Sequence, residues 1–135
     1  MNIELTKKEF RRLLDMVYIG NWILNSTRGE DRIRDYDLVE SKLFAHSALC
    51  GMSELMEIRG GEVLPSQEFA DGGIHEAIMD NEDTVFYEIL AEELARRDMN
   101  FEPINDENYE ELADRIDDYI EEFEQNGMDN LQLER

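Results

Sequence analysis

Apolar residues return at helical spacing along most of this chain, while strand-like alternation is confined to a few short runs. Phe10, Leu13, Leu14 and Val17 fall at i, i+3, i+4 and i+7, which predicts an amphipathic helix. Thr6-Lys7-Lys8-Glu9 supplies its start as a capping box, with the helix running to about Asn25. From Met16 to Leu24 the pattern is apolar nearly all round, so this half is expected to be a central element covered on several sides. A second helix is expected from Asp35 or Asp37 to about Cys50, with Gly51 ending it. Val39, Leu43, His46 and Cys50 lie on one side, and Leu38, Ala45 and Leu49 on an adjacent one.

The middle of the chain is more broken. Ser53–Ile58 reads as a helical turn or an extended piece, with the turn preferred, and Glu62-Val63-Leu64, between Gly60-Gly61 and Pro65-Ser66, as a strand fragment or loop. Ser66 is placed to cap a short helix through Phe69, which Gly72-Gly73 would stop. Ile74–Asp80 reads as a short helical piece, followed by a new helix from Asp83 or Thr84 to Arg97 with Phe86, Ile89, Leu90 and Leu94 inward. Pro103 separates it from a last helix, capped by Asn105 or Asp106 and stopped by Asn126-Gly127. The apolar stripe of that helix is Tyr109, Leu112, Ala113, Ile116, Ile120 and Phe123. Alternation at Asn2–Leu5 and Leu131–Leu133 suggests that the termini pair as a small two-stranded ribbon. The expectation is a mainly α, single-domain bundle over residues 1–135, with about four principal helices packed around Met16–Leu24.

Composition changes this picture mainly through charge. With 41% hydrophobic residues the chain has enough apolar surface to fold, so its formal charge of -21 does not signal disorder. The charge is unevenly placed: residues 1–45 are neutral, and the whole excess lies beyond them. Direct binding to nucleic acid or an anionic membrane is disfavoured, since both repel an acidic surface. A lone Cys50 excludes an intrachain disulfide and fits a reducing, cytoplasmic setting. The N-terminus has no secretory pattern, and no run approaches the ~20 residues of a membrane span.

The last helix concentrates the acid. Eleven carboxylates and a single cation, Arg115, stand between Glu102 and Glu124. Like-charge i,i+4 pairs such as Glu110–Asp114 and Asp117–Glu121 cost together about 1–2.5 kcal/mol at low salt. Burying Ile116, Ile120 and Phe123, at roughly 1.5–3 kcal/mol each, outweighs that cost. The face is therefore explained by solvation alone, or by docking to a basic protein surface through Glu110, Asp114, Asp117, Asp118, Glu121 and Glu122. Their helical spacing is also near that of phosphates along one nucleic-acid strand, which would suit a nucleic-acid-binding protein as the partner. A second copy of the chain is another candidate partner, through Arg11, Arg12, Arg96 and Arg97.

Other chemistry is sparse. His46 and Cys50 are i,i+4 neighbours and both are zinc-ligand types, with His75 a further candidate; a packed histidine beside a packed cysteine accounts for the same pattern. Glu88, Glu92, Asp114 and Asp117 have the spacing of a helical carboxylate site, as in all-α nucleotide hydrolases, but few cations accompany them. No catalytic nucleophile motif or phosphate loop is present, and no cofactor is implied. Tyr18, Asn21, Trp22 and Asn25 bring polar handles into the apolar first helix, to fix packing or to line a pocket. The run Leu13–Asn25, with His75-Glu76 and Ala95-Arg96-Arg97-Asp98, resembles a group of small acidic bacterial proteins of unassigned function. That resemblance implies a small bacterial cytoplasmic protein and carries no activity. The expectation is a non-catalytic accessory protein that docks a basic partner, with a metal-dependent enzyme as the alternative.

Overall fold

The computed structural model describes residues 1–134 and is mainly helical, with one small antiparallel sheet. Four long helices, α1 (Lys7–Asn25), α2 (Arg34–His46), α4 (His75–Asp98) and α5 (Tyr109–Asn126), are joined by a one-turn helix α3 (Gln67–Phe69) and a hairpin. The chain forms two compact units, Met1–Ile78 and Met79–Arg135.

The first unit begins as its sequence dictates. Thr6 Oγ1 accepts from Glu9 N–H at 3.1 Å, and Glu9 Oε1 accepts from Thr6 N–H at 2.9 Å, completing the capping box. The core joins α1, α2, α3 and the segment between them through Phe10, Leu14, Phe44, Met52, Leu55 and Phe69. Phe44 and Phe69 meet edge to face at 4.9 Å, and Arg11 lies 4.7 Å over the Phe69 ring. The segment Met16–Leu24 is not covered all round, as its apolarity suggested. Leu14 is fully buried, but Met16 and Ile23 are largely exposed on the opposite side. The buried face is completed by polar Asn21 and Asn25, which hydrophobicity alone would have turned outward. On α2, Leu38 and Val39 are exposed and Phe44 supplies the anchor; Leu49, just beyond the helix, is exposed too.

α2 tightens into a 3-10 turn over Ser47–Cys50 and ends at Gly51, whose φ of 73° is the left-handed cap conformation. The ribbon expected at the termini lies elsewhere: β1 (Met56–Arg59) pairs with β2 (Glu62–Pro65), Met56 opposite Pro65 and Arg59 opposite Glu62. Gly60 and Gly61 turn the chain with φ of 59° and 80°, a two-residue connection that requires positive φ at both positions. Residues 2–5 and 131–133 form no strand. Ser66 then caps α3, accepting from Phe69 N–H at 3.1 Å and donating to Glu54 C=O at 2.6 Å.

Gly72-Gly73 bends the chain in a wide π-type turn, with Gly73 at φ 107°, rather than stopping it. Beyond it α4 runs unbroken for 24 residues, where two separate helices were expected. Asp80-Asn81-Glu82-Asp83 contains no glycine or proline to break a helix, and Thr84 donates its hydroxyl back to Asp80 C=O at 3.1 Å.

The second unit is an antiparallel helical hairpin. Ala91 and Ala95 are fully buried, and Ala95 and Met99 pack with Leu112, supported by Ile104, Ile116 and Tyr119. The buried face centres on these small residues, which displaces part of the expected inward face: Phe86 and Ile89 are exposed, while Leu90 and Leu94 are half-buried. α5 starts at Tyr109, about one turn later than expected. Asn105 Oδ1 instead accepts from Glu107 and Asn108 N–H in a preceding turn, and Tyr109 is exposed. Leu112 and Phe123 are buried as the stripe requires.

Candidate functional site

Taking α5 at about 100° per residue, with Phe123 facing the hairpin core, Glu124, Asp117, Glu110, Glu121, Asp114, Asp118, Glu111 and Glu122 sweep an arc of roughly 160° on the far side. Glu110, Asp114, Asp117, Asp118 and Glu121 are exposed, so these carboxylates form an outward ridge and do not converge on a cleft. Glu122 departs from this pattern. It is half-buried, and its carboxylate accepts from Asn126 at 3.1 Å and Asn130 at 2.6 Å, holding the turn after α5.

The ridge has few internal counter-charges. The second unit contains four arginines against twenty carboxylates, a net charge of −16. Among the described residues each cation already faces a carboxylate of its own unit: Arg96 with Glu92, Arg97 with Asp98 and Arg115 with Glu111. Asp98 is held below the ordinary carboxyl range first by a hydrogen bond from Tyr119 and then by Arg97. The Tyr119 hydroxyl is pushed up in turn by that carboxylate. This pair fastens the end of α4 to the middle of α5 and fixes the phase of the ridge.

Beside the ridge lies a groove of about 330 Å³ between α4 and α5, a feature sequence pattern alone did not reveal. Its floor is Tyr87, Ile120 and Phe123, the two rings 5.4 Å apart and tilted by 37°. Its rim carries Asp83, Glu88 and Glu124. The available signal was acids within one turn of inward aromatics on two consecutive helices. Reading it required the antiparallel register, which places Tyr87 against Phe123. An aromatic floor beneath three carboxylates suits the guanidinium or ammonium end of a long side chain, whose aliphatic stem lies on the apolar surface.

The other candidates are dispersed. His46 is exposed and meets Phe10 edge-on at 5.5 Å, so it is not the packed histidine expected. With half-buried Cys50 it lines an apolar hollow of about 540 Å³ beneath Met1, Ile3 and Leu5. His75 does not line that hollow; its Nε2 lies 2.5 Å from the Tyr18 hydroxyl. Among the described residues no group of three or more His, Cys, Asp or Glu is arranged to hold a metal ion. Glu88 faces the groove, whereas Glu92, Asp114 and Asp117 point to solvent. No helix among the described residues is long and apolar enough to cross a membrane. Comparison with protein-family models, with curated proteins and with solved structures gives no match for this chain.

Proposed function

We propose that the second unit is a docking module for a basic protein surface. The α5 ridge provides electrostatic capture, and the groove seats one lysine or arginine side chain of the partner. The observation that carries this reading is the outward, exposed arc of carboxylates that the unit's own arginines leave largely unneutralised. A surface of this kind raises association rates and sets orientation, while a desolvated anchor in a pocket supplies residence time. A basic partner fits better than a second copy of the chain. Two units of this charge repel each other, and Arg11, Arg12, Arg96 and Arg97 are engaged with Asp15, Glu92 and Asp98 of their own chain.

The test is titration of the protein with a lysine- and arginine-rich peptide across a salt series. Affinity should fall steeply from about 50 to 500 mM salt, as screening shortens the reach of the ridge. Salt-independent binding, or none at low salt, would overturn the proposal.

A further inference from the structure

A second concave site lies in the first unit. It is a cleft of about 430 Å³ between α1, the start of α2 and the hairpin, within the range of small-molecule pockets and too small for a macromolecular surface. One wall is aromatic: Tyr18 and Trp22 stack at 6.2 Å with their planes 22° apart. Behind them His75 meets Trp22 edge-on at 4.8 Å and hydrogen-bonds the Tyr18 hydroxyl, so both rings are braced before any ligand arrives. The other walls hold two arginines and two glutamates, Arg32, Arg59, Glu40 and Glu57.

The charges differ in how well they are satisfied. Asp37 grips Arg32 through Nε and one terminal nitrogen, both at 2.7 Å, and Asn21 Nδ2 donates to the same carboxylate at 3.0 Å. That grip positions the guanidinium and leaves its remaining N–H groups free to donate. Arg59 is tethered to Glu57 at 2.5 Å on the hairpin edge and remains largely exposed. Glu40 is the exception: it is half-buried, and among the described residues no cation lies within ion-pair distance of it. Burial pushes its carboxyl above the ordinary range, against the pull of a hydrogen bond from Asn21. Burial, and then the negative charge of Glu40, also raise the Tyr18 hydroxyl. A half-buried carboxyl beside tryptophan and tyrosine faces matches an ammonium group, which gains from both the charge and the rings. The two guanidiniums match a carboxylate. The lining is balanced in charge, so a simple anion or a simple cation would meet a repelling group as well as an attracting one.

We infer that this cleft binds a small zwitterion of the amino-acid class, its ammonium against Glu40 and the Trp22–Tyr18 wall and its carboxylate toward Arg59 and Arg32. All the residues of this cleft belong to the first unit, and its proposed ligand does not depend on the docking role of the second unit. Trp22 is the only tryptophan in the chain, so its fluorescence reports this cleft alone. Each of the twenty common amino acids is titrated into the full-length protein, with ethylamine and acetate as half-ligands. At least one amino acid should give a saturable change in Trp22 emission, with both half-ligands about tenfold weaker or more. The same ligand should lose about tenfold in affinity with Glu40→Gln and again with Arg59→Gln. Arg59 is exposed, so its variant tests the site without endangering the fold. The inference is overturned if no amino acid saturates by about 10 mM, a concentration corresponding to less than ~4 kcal/mol of binding. It is equally overturned if ethylamine binds as well as the amino acid, or if both variants bind unchanged.

Discussion

Replacing Asn25 with alanine should unfold the first unit at markedly lower denaturant, although Asn25 is polar and sits in an apolar helix. Its side chain is 1% exposed and makes three hydrogen bonds. The amide oxygen accepts from Ile33 N–H at 2.8 Å, and Nδ2 donates to Ile33 C=O at 3.0 Å and to Asn21 Oδ1 at 2.6 Å. One amide therefore satisfies both backbone groups of the residue that leads into α2. Alanine strands them in a half-buried setting, and water recovers only part of the loss. Three bonds at about 1 kcal/mol net each, with the penalty for stranded groups, put the cost at about 2–4 kcal/mol. With a urea slope of about 1–3 kcal/mol per molar, the midpoint should fall by about 1–2 M. Trp22 emission is the appropriate readout because it lies in the affected unit. Asn25→Asp refines the test. It retains the acceptor for Ile33 N–H but sets a carboxylate against Ile33 C=O and Asn21 Oδ1. Its folded-state pKa should be raised, so its deficit is full above that pKa and shrinks as pH falls toward the ordinary carboxyl range. A loss below about 0.5 kcal/mol in Asn25→Ala, the range of an ordinary surface change, would refute the reasoning.

Gly61 has φ 80° with open space around its missing Cβ, so Gly61→Ala tests backbone strain alone; a loss of about 1–2 kcal/mol of hairpin stability is expected by urea titration. Phe101 occupies the left-handed region at φ 54° with its ring mostly exposed, and Phe101→Gly should stabilise the second unit by about 0.5–1 kcal/mol, read by thermal circular dichroism. Asp37 is held below its ordinary range, first by the hydrogen bond from Arg32, so its contribution is present above the unfolded pKa and is lost as pH falls through the folded one. The stability gap between the parent and Asp37→Asn, measured by urea titration from about pH 7 to 3, should therefore close at the acid end. Glu40 is shifted the other way by burial, so Glu40→Gln should be neutral or stabilising near pH 7, with an advantage that narrows on acidification in the same titration.

The start of α1, the cap at Gly51 and the buried stripe of α5 were legible because each rests on local chemistry: a reciprocal cap, a left-handed glycine and a 3.6-residue period. The hairpin was obscured because Met56-Glu57-Ile58-Arg59, although alternating, is only four residues long, and its pairing depends on Gly60-Gly61 adopting positive φ together. α4 misled for a related reason. Its apolar residues surround the axis, so periodicity could not choose a face, and the small residues Ala91 and Ala95 decided it. The ridge could be read from charge spacing alone. The groove and the Tyr119–Asp98 tie join residues distant in sequence, and became visible only once the helices were packed. The cleft was legible in part, since lining a pocket was one of the two readings of Tyr18, Asn21 and Trp22, but its charged walls on α2 and the hairpin were not.

The central claim concerns position, not quantity, of charge, and a matched pair of triple variants tests it most directly. One neutralises the ridge through Asp114→Asn, Asp117→Asn and Glu121→Gln; the other neutralises Glu102, Asp106 and Glu107 in the exposed segment before α5. Both remove the same formal charge, so calorimetric titration with one basic peptide at low salt compares location alone. The account predicts that the ridge variant loses about tenfold or more in affinity while the control loses at most a few-fold. Equal losses in the two variants, or no loss in the ridge variant, would contradict it.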